Sequence, residues 1–231
     1  MPDLPQPIGV LAAMEVEGDA IEAALDQPIT TTVFGCRVID GMLAGRHVLL
    51  GFSGVGKVNA TLATAALAQS GASCLVLIGM AGTTDPGVSI GDAVIATDLI
   101  QHDVDVSMFG HPLGYIAGAT AGGIADKALS DSLALAAVDL GATVHRGRIA
   151  SGDQFIASPE RSRAIAEQFD AIAVEMEGAA VAQACTRMHL PFAVLRWISD
   201  AADDQAMVDF PVFVEQIAQL DLAVIRRMLV M

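Results

Sequence analysis

The chain has 231 residues, of which 53% are hydrophobic, and its 12 basic and 27 acidic side chains give a formal net charge of −15. This length suits one large domain, and the apolar content can form a sizeable core, which argues against extensive disorder. The negative charge repels a polyphosphate backbone, and every apolar stretch is interrupted before it reaches the length of a membrane span, so neither nucleic acid nor a membrane is an expected partner.

The N-terminal sequence MPDLPQPIGV has no basic segment and no apolar run before a cleavage site, so it does not predict a signal peptide. Cys36, Cys74 and Cys185 are odd in number and scattered, which argues against a disulfide framework or a zinc site. We therefore expect a cytoplasmic protein in which residues 1–7 form an N-terminal extension and residues 8–231 form one domain.

Short apolar segments alternate with helical patterns along the chain. In chain order the sequence predicts a strand at 8–13, a helix at 15–25, antiparallel strands within 31–52, a helix at 57–69, strands at 74–79 and 93–100, a long loop at 102–117, a helix at 125–140, a strand at 143–151, a helix at 159–168, a strand at 171–174, a helix at 178–188, a strand at 192–199 and a helix at 210–228. This alternation predicts an α/β fold: a single-domain three-layer α/β/α structure with a central mixed, mostly parallel sheet.

The segment 171–178, AIAVEMEG, places two carboxylates directly after a buried-looking apolar run. Carboxylates are rarely buried without a partner or a ligand. Ligands of open α/β sheets bind at the carboxyl ends of the strands. Glu175 and Glu177, with Met176 between them, are therefore the first candidate site residues.

Two glycine-rich turns could bind phosphate or line a pocket. Residues 51–58, GFSGVGKV, match a P-loop as far as G-x-x-x-x-G-K, but Val58 stands where a magnesium-binding Ser or Thr is needed. We interpret this segment as a strand-to-helix turn that lines a small-molecule pocket, with a purely structural turn as the alternative. Residues 79–87, GMAGTTDPG, allow the backbone to approach a ligand closely and are compatible with a turn or a site.

Seven motifs occur in a specific order. They are EVE at 15–17, SGVGKVNA at 53–60, GDAVIATD at 91–98, QHDVDVSMFG at 101–110, SGDQFI at 151–156, AVEMEGAA at 173–180 and RWISDAAD at 196–203. This combination resembles the 5′-methylthioadenosine/S-adenosylhomocysteine nucleosidases, within the family of purine nucleoside phosphorylases. The resemblance extends from about residue 8 to the C-terminus and implies a nucleoside phosphorylase-like fold, no cofactor and no metal.

The resemblance implies that the chain hydrolyses the N-glycosidic bond of an adenine nucleoside. Asp200 would protonate purine N7 as the general acid, with Ser199 orienting it, so we expect burial to raise the pKa of Asp200. Glu177 would hold the ribose hydroxyls and stabilise the developing cation. Glu17 would activate the attacking water, with Arg196 nearby.

The resemblance also implies a substrate pocket shared by two subunits. Phe155 would stack on adenine, and Phe210 would close over the alkylthio end. Val106 and Phe109 would cross to the partner of a homodimer and complete its site. The remaining pocket residues would be Met14, Val55, Met80, Ala81, Gly82, Ile156, Glu175 and Met176, of which Met176 packs on the sugar and Glu175 is better explained as a structural acid.

Each of the charged residues also has a structural interpretation. Glu17 and Glu177 could be first-turn acids that interact with a helix dipole, and Asp200 could be a helix cap. Arg196 is harder to explain structurally, because a buried arginine demands an acidic partner. A metal site at His102, Asp103 and Asp105 is not expected, since no second ligand cluster has a fitting spacing.

One position departs from the family pattern. The pattern Gly-Ser-Ala-Gly is replaced by Gly79, Met80, Ala81 and Gly82, so the serine hydroxyl expected near the ribose is missing. Thr83 and Thr84 are the nearest hydroxyls that could compensate for it. The competing functions are a phosphorylase, for which the strand before Met80 lacks the required arginine, a 6-amino-6-deoxyfutalosine nucleosidase, and a nucleoside-binding protein without activity.

Overall fold

The computed structural model describes residues 4–119 and 123–231, and among them it has six α-helices, a short 3-10 helix at Ser107–Phe109 and one eleven-stranded sheet. The strands are β1 Ile8–Ala12, β2 Asp26–Val33, β3 Cys36–Leu43, β4 Arg46–Phe52, β5 Cys74–Leu77, β6 Met80–Thr83, β7 Ala93–Gln101, β8 Gly123–Ile124, β9 Val144–Ser151, β10 Ala171–Glu175 and β11 Phe192–Asp200. The helices are α1 Glu15–Ala24, α2 Lys57–Gln69, α3 Lys127–Asp139, α4 Pro159–Phe169, α5 Gly178–Met188 and α6 Ala206–Leu229. Of the expected extension 1–7, residues 1–3 lie outside the described residues.

The sheet is mixed, with the order β2-β3-β4-β1-β5-β11-β6-β10-β9-β7-β8. Two tight turns create the antiparallel part at one edge. Each turn has two residues with positive φ, Phe34 with Gly35 and Ala44 with Gly45, as type I′ hairpin turns require. These turns confirm the antiparallel strands that the alternation within 31–52 predicted.

Helices cover both faces of the sheet, which confirms the predicted three-layer α/β/α fold. On one face α6 packs against α1 and α3 over a core that includes Ile21, Leu133 and Ile217. On the other face α2 packs against α5 over a core that includes Leu67 and Val181. Among the described residues, no helix has both the length and the apolar character needed to cross a membrane.

The predicted strand at 74–79 is shorter than expected and is followed by a second strand that the sequence did not predict. β5 ends at Leu77, and β6 begins at Met80. The break lies at Gly79, whose φ of 132° does not suit a strand residue with a side chain. This turn moves the chain across β11, because β5 pairs with the first half of β11 and β6 pairs with its second half.

The site forms where strands of opposite direction meet. β6 is parallel to β11 but antiparallel to β10. Because β6 has only four residues, the ends of β10 and β11 still lie close together: Val174 pairs with Gly82, which in turn pairs with Asp200.

One buried acid ties α6 to the sheet. Asp221 of α6 is fully buried, and its Oδ1 accepts a hydrogen bond of 3.0 Å from the indole Nε1 of Trp197 in β11. Its Oδ2 has no hydrogen-bond partner within the described part of the chain. Burial raises the pKa of Asp221 well above its usual range, the charge of Glu17 raises it further, and the bond from Trp197 only partly opposes this.

We predict that Asp221→Asn makes the protein more stable, relative to wild type, as the pH rises. The unfolded chain loses the Asp221 proton near pH 4 while the folded chain keeps it, so wild-type stability falls by up to about 1.4 kcal/mol per pH unit until the folded pKa is reached. The variant has no such group but keeps an oxygen to accept the indole bond. Urea unfolding at pH 5, 6 and 7 measures the difference.

The matched control is Asp19→Asn, which removes an exposed carboxyl from α1. Its stability curve should run parallel to that of the wild type. A parallel curve for Asp221→Asn as well would show that Asp221 is ionised in the folded protein.

Candidate active site

A cavity of about 250 Å³ opens where β1, β10 and β11 end and where β6 begins. Fourteen of the seventeen residues predicted for the site line it: Met14, Glu17, Val55, Met80, Ala81, Gly82, Phe155, Ile156, Glu175, Met176, Glu177, Ser199, Asp200 and Phe210. The other three, Arg196, Val106 and Phe109, lie outside the lining. Sequence reasoning missed Ala13, Gln154 and Val174, which also line the cavity.

Arg196 lies behind the cavity wall and is surrounded by carboxylates. Its side chain is 1% exposed. Its Nη2 donates to Glu175 through a very short contact and to Glu177 at 3.2 Å, while its Nη1 donates to the carbonyl of Ile78 at 2.9 Å. Burial opposes the guanidinium charge, but attraction to the acids outweighs it and raises the pKa. The expectation that a buried Arg196 needs acidic partners is thus confirmed.

Glu175 makes bonds to protein groups with both of its oxygens. In addition to Arg196 it accepts hydrogen bonds from the hydroxyl of Ser151 and from the backbone N–H of Glu177 (3.1 Å) and Gly178 (2.8 Å). The last two bonds cap the first turn of α5. Although Glu175 borders the cavity, these contacts favour the structural role over ligand binding.

Glu177 is not a capping acid, because its side chain makes no bond to its own helix. Its Oε1 accepts a 2.8 Å hydrogen bond from the backbone N–H of Gly56, and its Oε2 accepts from Arg196. Burial raises the pKa of Glu177 to about 7, since attraction to Arg196 is offset by the nearby charges of Glu175 and Glu17. Burial and the two neighbouring acids thus oppose the charge of Glu177, while Arg196 and the N–H of Gly56 favour it.

The Gly56 contact also explains the sequence that resembles a P-loop. Two N–H groups at the start of α2 are already bound to carboxylates: Gly56 to Glu177, and Lys57 to Oδ1 of Asp153 at 2.8 Å. A phosphate would have to displace both acids. The segment is therefore better explained as a strand-to-helix turn that lines a small-molecule pocket, as its Val55 does.

Glu17 serves both its own helix and the site. Its Oε2 accepts hydrogen bonds from the backbone N–H of Ala13 (2.9 Å) and Met14 (2.8 Å), and its Oε1 accepts from Met80 at 3.3 Å. Burial raises the pKa of Glu17, while the charge of Arg196 and these three bonds partly counter the effect. A carboxyl group with a raised pKa can accept a proton from a neighbouring group at moderate pH.

Asp200 ends β11 and is 2% exposed. Its Oδ2 accepts a 2.8 Å hydrogen bond from the hydroxyl of Ser199, and its Oδ1 accepts a 2.9 Å bond from the N–H of Ala202. The alternative of a helix cap is wrong, because α6 begins only at Ala206. A side chain at position 82 would collide with Asp200, so Gly82 leaves the space that the acid occupies.

The rest of the lining is mostly apolar. The rings of Phe155 and Phe210 meet edge to face with centroids 5.8 Å apart, and together they border one end of the cavity. Met80 is nearly buried beside Glu17. The hydroxyls of Thr83 and Thr84 do not replace the missing serine, because they donate to the carbonyls of Ile172 and Ala171.

The site offers negative charge and hydrogen-bond acceptors and no positive charge. Of the described residues that line the cavity, none is a lysine or an arginine. Within residues 4–119 and 123–231, no group of three His, Cys, Asp or Glu side chains is placed to hold a metal ion. The arrangement can stabilise a cation, donate a proton from Asp200 and accept a proton at Glu17, but it is unfavourable for an inorganic anion.

Known proteins are similar to this chain in sequence and in fold. Residues 7–229 match the Phosphorylase superfamily. A 5′-methylthioadenosine/S-adenosylhomocysteine nucleosidase of Bacillus cereus is 41% identical over 217 residues, which cover 91% of this chain and 93% of that protein. The nucleosidase of the same name from Neisseria meningitidis, solved in complex with methylthio-immucillin-A, has a TM-score of 0.91 and 35% identity, covering 96% of this chain and 97% of that one.

A futalosine hydrolase of Helicobacter pylori is equally similar in structure, with a TM-score of 0.90, 35% identity and 96% coverage of each chain. The sequence identity to the Bacillus cereus protein over nearly the whole length, together with the match to the superfamily, shows the family. The chain belongs to the Phosphorylase superfamily and, within it, to the 5′-methylthioadenosine/S-adenosylhomocysteine nucleosidases.

Proposed function

We infer that the chain hydrolyses the N-glycosidic bond of 5′-methylthioadenosine and S-adenosylhomocysteine, releasing adenine and the 5-thioribose product. The observation that carries this inference is a cavity that combines a buried acid, Asp200, with two buried carboxylates, Glu17 and Glu177, and no basic lining residue among those described. We further propose that residues 8–231 form the catalytic domain and that the protein is cytoplasmic.

In the proposed reaction the bond between the ribose C1′ and adenine N9 breaks, and the bonding electrons leave with adenine. Asp200 donates its proton to N7, so adenine departs as a neutral base. Water adds its oxygen to C1′ and gives one proton to Glu17. The contact from Ser199 to Asp200 supports the orienting role of Ser199. That Asp200 holds a proton near neutral pH stays a prediction.

Glu177 is the proposed stabiliser of the ribose cation. Its Oε1 is held by Gly56 and its Oε2 by Arg196, so the carboxylate is fixed before substrate arrives. A preorganised charge of this kind acts on the transition state without reorganising. Because Arg196 lies behind the wall, we assign it a positioning role: it orients Glu175 and Glu177 and does not contact the water.

The proposed adenine pocket is formed by Phe155, stacked on the base, and the backbone of Ile156. Phe210 would close the alkylthio end, and it lines the cavity. The sugar would rest on Met176, with Met14, Val55, Met80, Ala81 and Gly82 completing the lining.

Hydrolysis predicts that adenine is released from 5′-methylthioadenosine in phosphate-free buffer, at a rate that added phosphate does not raise. The physical reason is that Glu17 occupies the position at which an attacking anion would have to approach. Adenine release followed by absorbance or chromatography measures the rate. Release that requires phosphate would show a phosphorylase, and no release under either condition would favour a binding protein without activity.

A futalosine hydrolase is similar in structure to this chain, so the group at the 5′ position of the substrate has to be tested directly. The same assay with 6-amino-6-deoxyfutalosine, at matched concentration, compares kcat/KM for the two nucleosides. A higher value for the second nucleoside would replace our assignment of the substrate while keeping the reaction.

Asp200→Asn tests the general acid. We expect kcat to fall by at least ~100-fold, because the amide cannot supply a proton, while adenine binding measured by calorimetry is largely kept. Asp204→Asn, which alters an exposed acid four residues further along the chain, is the matched control and should behave like wild type. Turnover of Asp200→Asn near the control would remove Asp200 from the mechanism.

We also propose a homodimer in which Val106 and Phe109 complete the partner's site. Two observations support it: both residues lie outside the cavity of their own chain, and large apolar side chains around them are exposed, with Met108 at 85% and Phe109 at 73%. Exposed apolar patches of this kind are typical of contact surfaces.

Light scattering should give a mass twice that of the 23.8 kDa chain. Phe109→Asp should halve the mass and lower kcat/KM, since it places a charge in the contact. Val138→Asp, at an exposed apolar position of α3, should change neither. A wild-type chain that is monomeric at assay concentration would contradict the dimer.

A further inference from the structure

Lys57 is the lysine of the segment that resembles a P-loop, and the proposed reaction does not use it. It lies outside the cavity lining, yet its side chain is only 16% exposed. Its Nζ donates to Oδ1 of Asp103 at 2.6 Å and to Oε1 of Gln101 at 2.9 Å. Lys57 therefore joins the start of α2 to the end of β7 and to the segment that follows it.

Asp103 extends this link to a third segment. Its Oδ2 accepts a 2.9 Å hydrogen bond from the backbone N–H of Asp153, and Oδ1 of Asp153 accepts from the backbone N–H of Lys57. Lys57, Asp103 and Asp153 thus form a closed ring of contacts. Lys57 and Asp103 are 16% and 17% exposed, so this pair is shielded from water more than an ordinary surface ion pair, whereas Asp153 is 51% exposed.

The ring is adjacent to two groups of the site. The N–H of Gly56, which immediately precedes Lys57, is the donor that holds Oε1 of Glu177. Asp153 lies two residues before Phe155, which lines the cavity at its apolar end. Any shift of Lys57 or Asp153 would therefore move the donor to Glu177 or the aromatic wall.

The start of α2 takes its hydrogen-bond acceptors from other segments of the chain. Gly56 has a φ of 100°, a conformation outside both helix and strand, and it starts α2 without a side-chain cap from its own residue. The free N–H groups of a helix start need partners. Here those partners are Glu177 and Asp153, which come from two other segments of the chain.

We propose that Lys57 and Asp103 are a positioning pair that keeps the Gly56 N–H on Glu177 and the Phe155 segment over the cavity. Neither residue touches the cavity. Their effect on the reaction passes through Gly56 and Asp153. This inference rests on the proposed function only for its kinetic consequence, since the positioning itself is a property of the fold.

The test uses Lys57→Met, Asp103→Asn and the double variant in the full-length protein. The first arm is amide hydrogen exchange. In Lys57→Met we expect faster exchange in peptides that cover 53–58 and 152–156, and unchanged exchange in α3. The second arm is adenine release from 5′-methylthioadenosine. We expect kcat/KM to fall by ~10-fold or more, because small displacements of positioned groups have effects of this size or larger.

The variants also separate positioning from stability. The double variant should lose no more activity than Lys57→Met, because both changes break the same link. Lys57→Arg keeps the cation and should recover part of kcat/KM. Lys127→Met is the control, since it breaks an exposed 2.6 Å lysine–aspartate pair on α3. It should leave kcat/KM, and the exchange of peptides that cover 53–58 and 152–156, unchanged.

Unchanged exchange at 53–58 and 152–156 in Lys57→Met would overturn the proposal, as would a kcat/KM within twofold of the control. If the wild-type chain releases no adenine, the proposed function fails, and the exchange arm still decides whether Lys57 and Asp103 order the two segments.

Discussion

The buried guanidinium of Arg196 is the group on which the rest of the site depends. It faces Glu175 and Glu177 directly, and Glu17 lies close enough to affect its pKa. One positive charge thus serves three carboxylates, and burying an ion is favourable only when such partners satisfy it. The acids in turn are held by backbone N–H groups from the segment between β1 and α1, the Gly56 turn and the start of α5. The elements of both halves of the sheet are therefore joined through this cluster.

The imbalance of charge gives the cluster its chemical character. Since one cation cannot neutralise three anions, burial raises the pKa values of Glu17 and Glu177, even though both accept hydrogen bonds. The excess negative potential favours a ligand that becomes positive during the reaction and disfavours one that arrives negative. The same imbalance supports two parts of the proposal, the stabilisation of a ribose cation and the use of water in place of phosphate.

The sequence predicted the elements well because apolar runs and helical periods are local. It also predicted that Arg196 needs acidic partners and that Glu177 and Asp200 lie near each other. It did not predict β6, since four residues with two glycines give no periodic signal and Gly79 alone creates the break. It also did not predict that β10 runs antiparallel to β6, because strand direction depends on pairing across the sheet. The different roles of Glu175 and Glu177 could not be predicted from the sequence, because they depend on which N–H groups lie within reach of each carboxylate.

The absence of a side chain at Gly79 is a requirement for any scaffold designed to copy this cluster of charged groups. A Cβ atom at that position would overlap with both Glu17 and Arg196, so these two side chains can both approach Gly79 only because it has no side chain. Its φ of 132° is also the bend that starts β6. A designed scaffold that copied the three acids and the arginine, but placed any other residue here, would force the charges apart. The empty volume at Gly79 is as much a part of the catalytic template as the carboxylates.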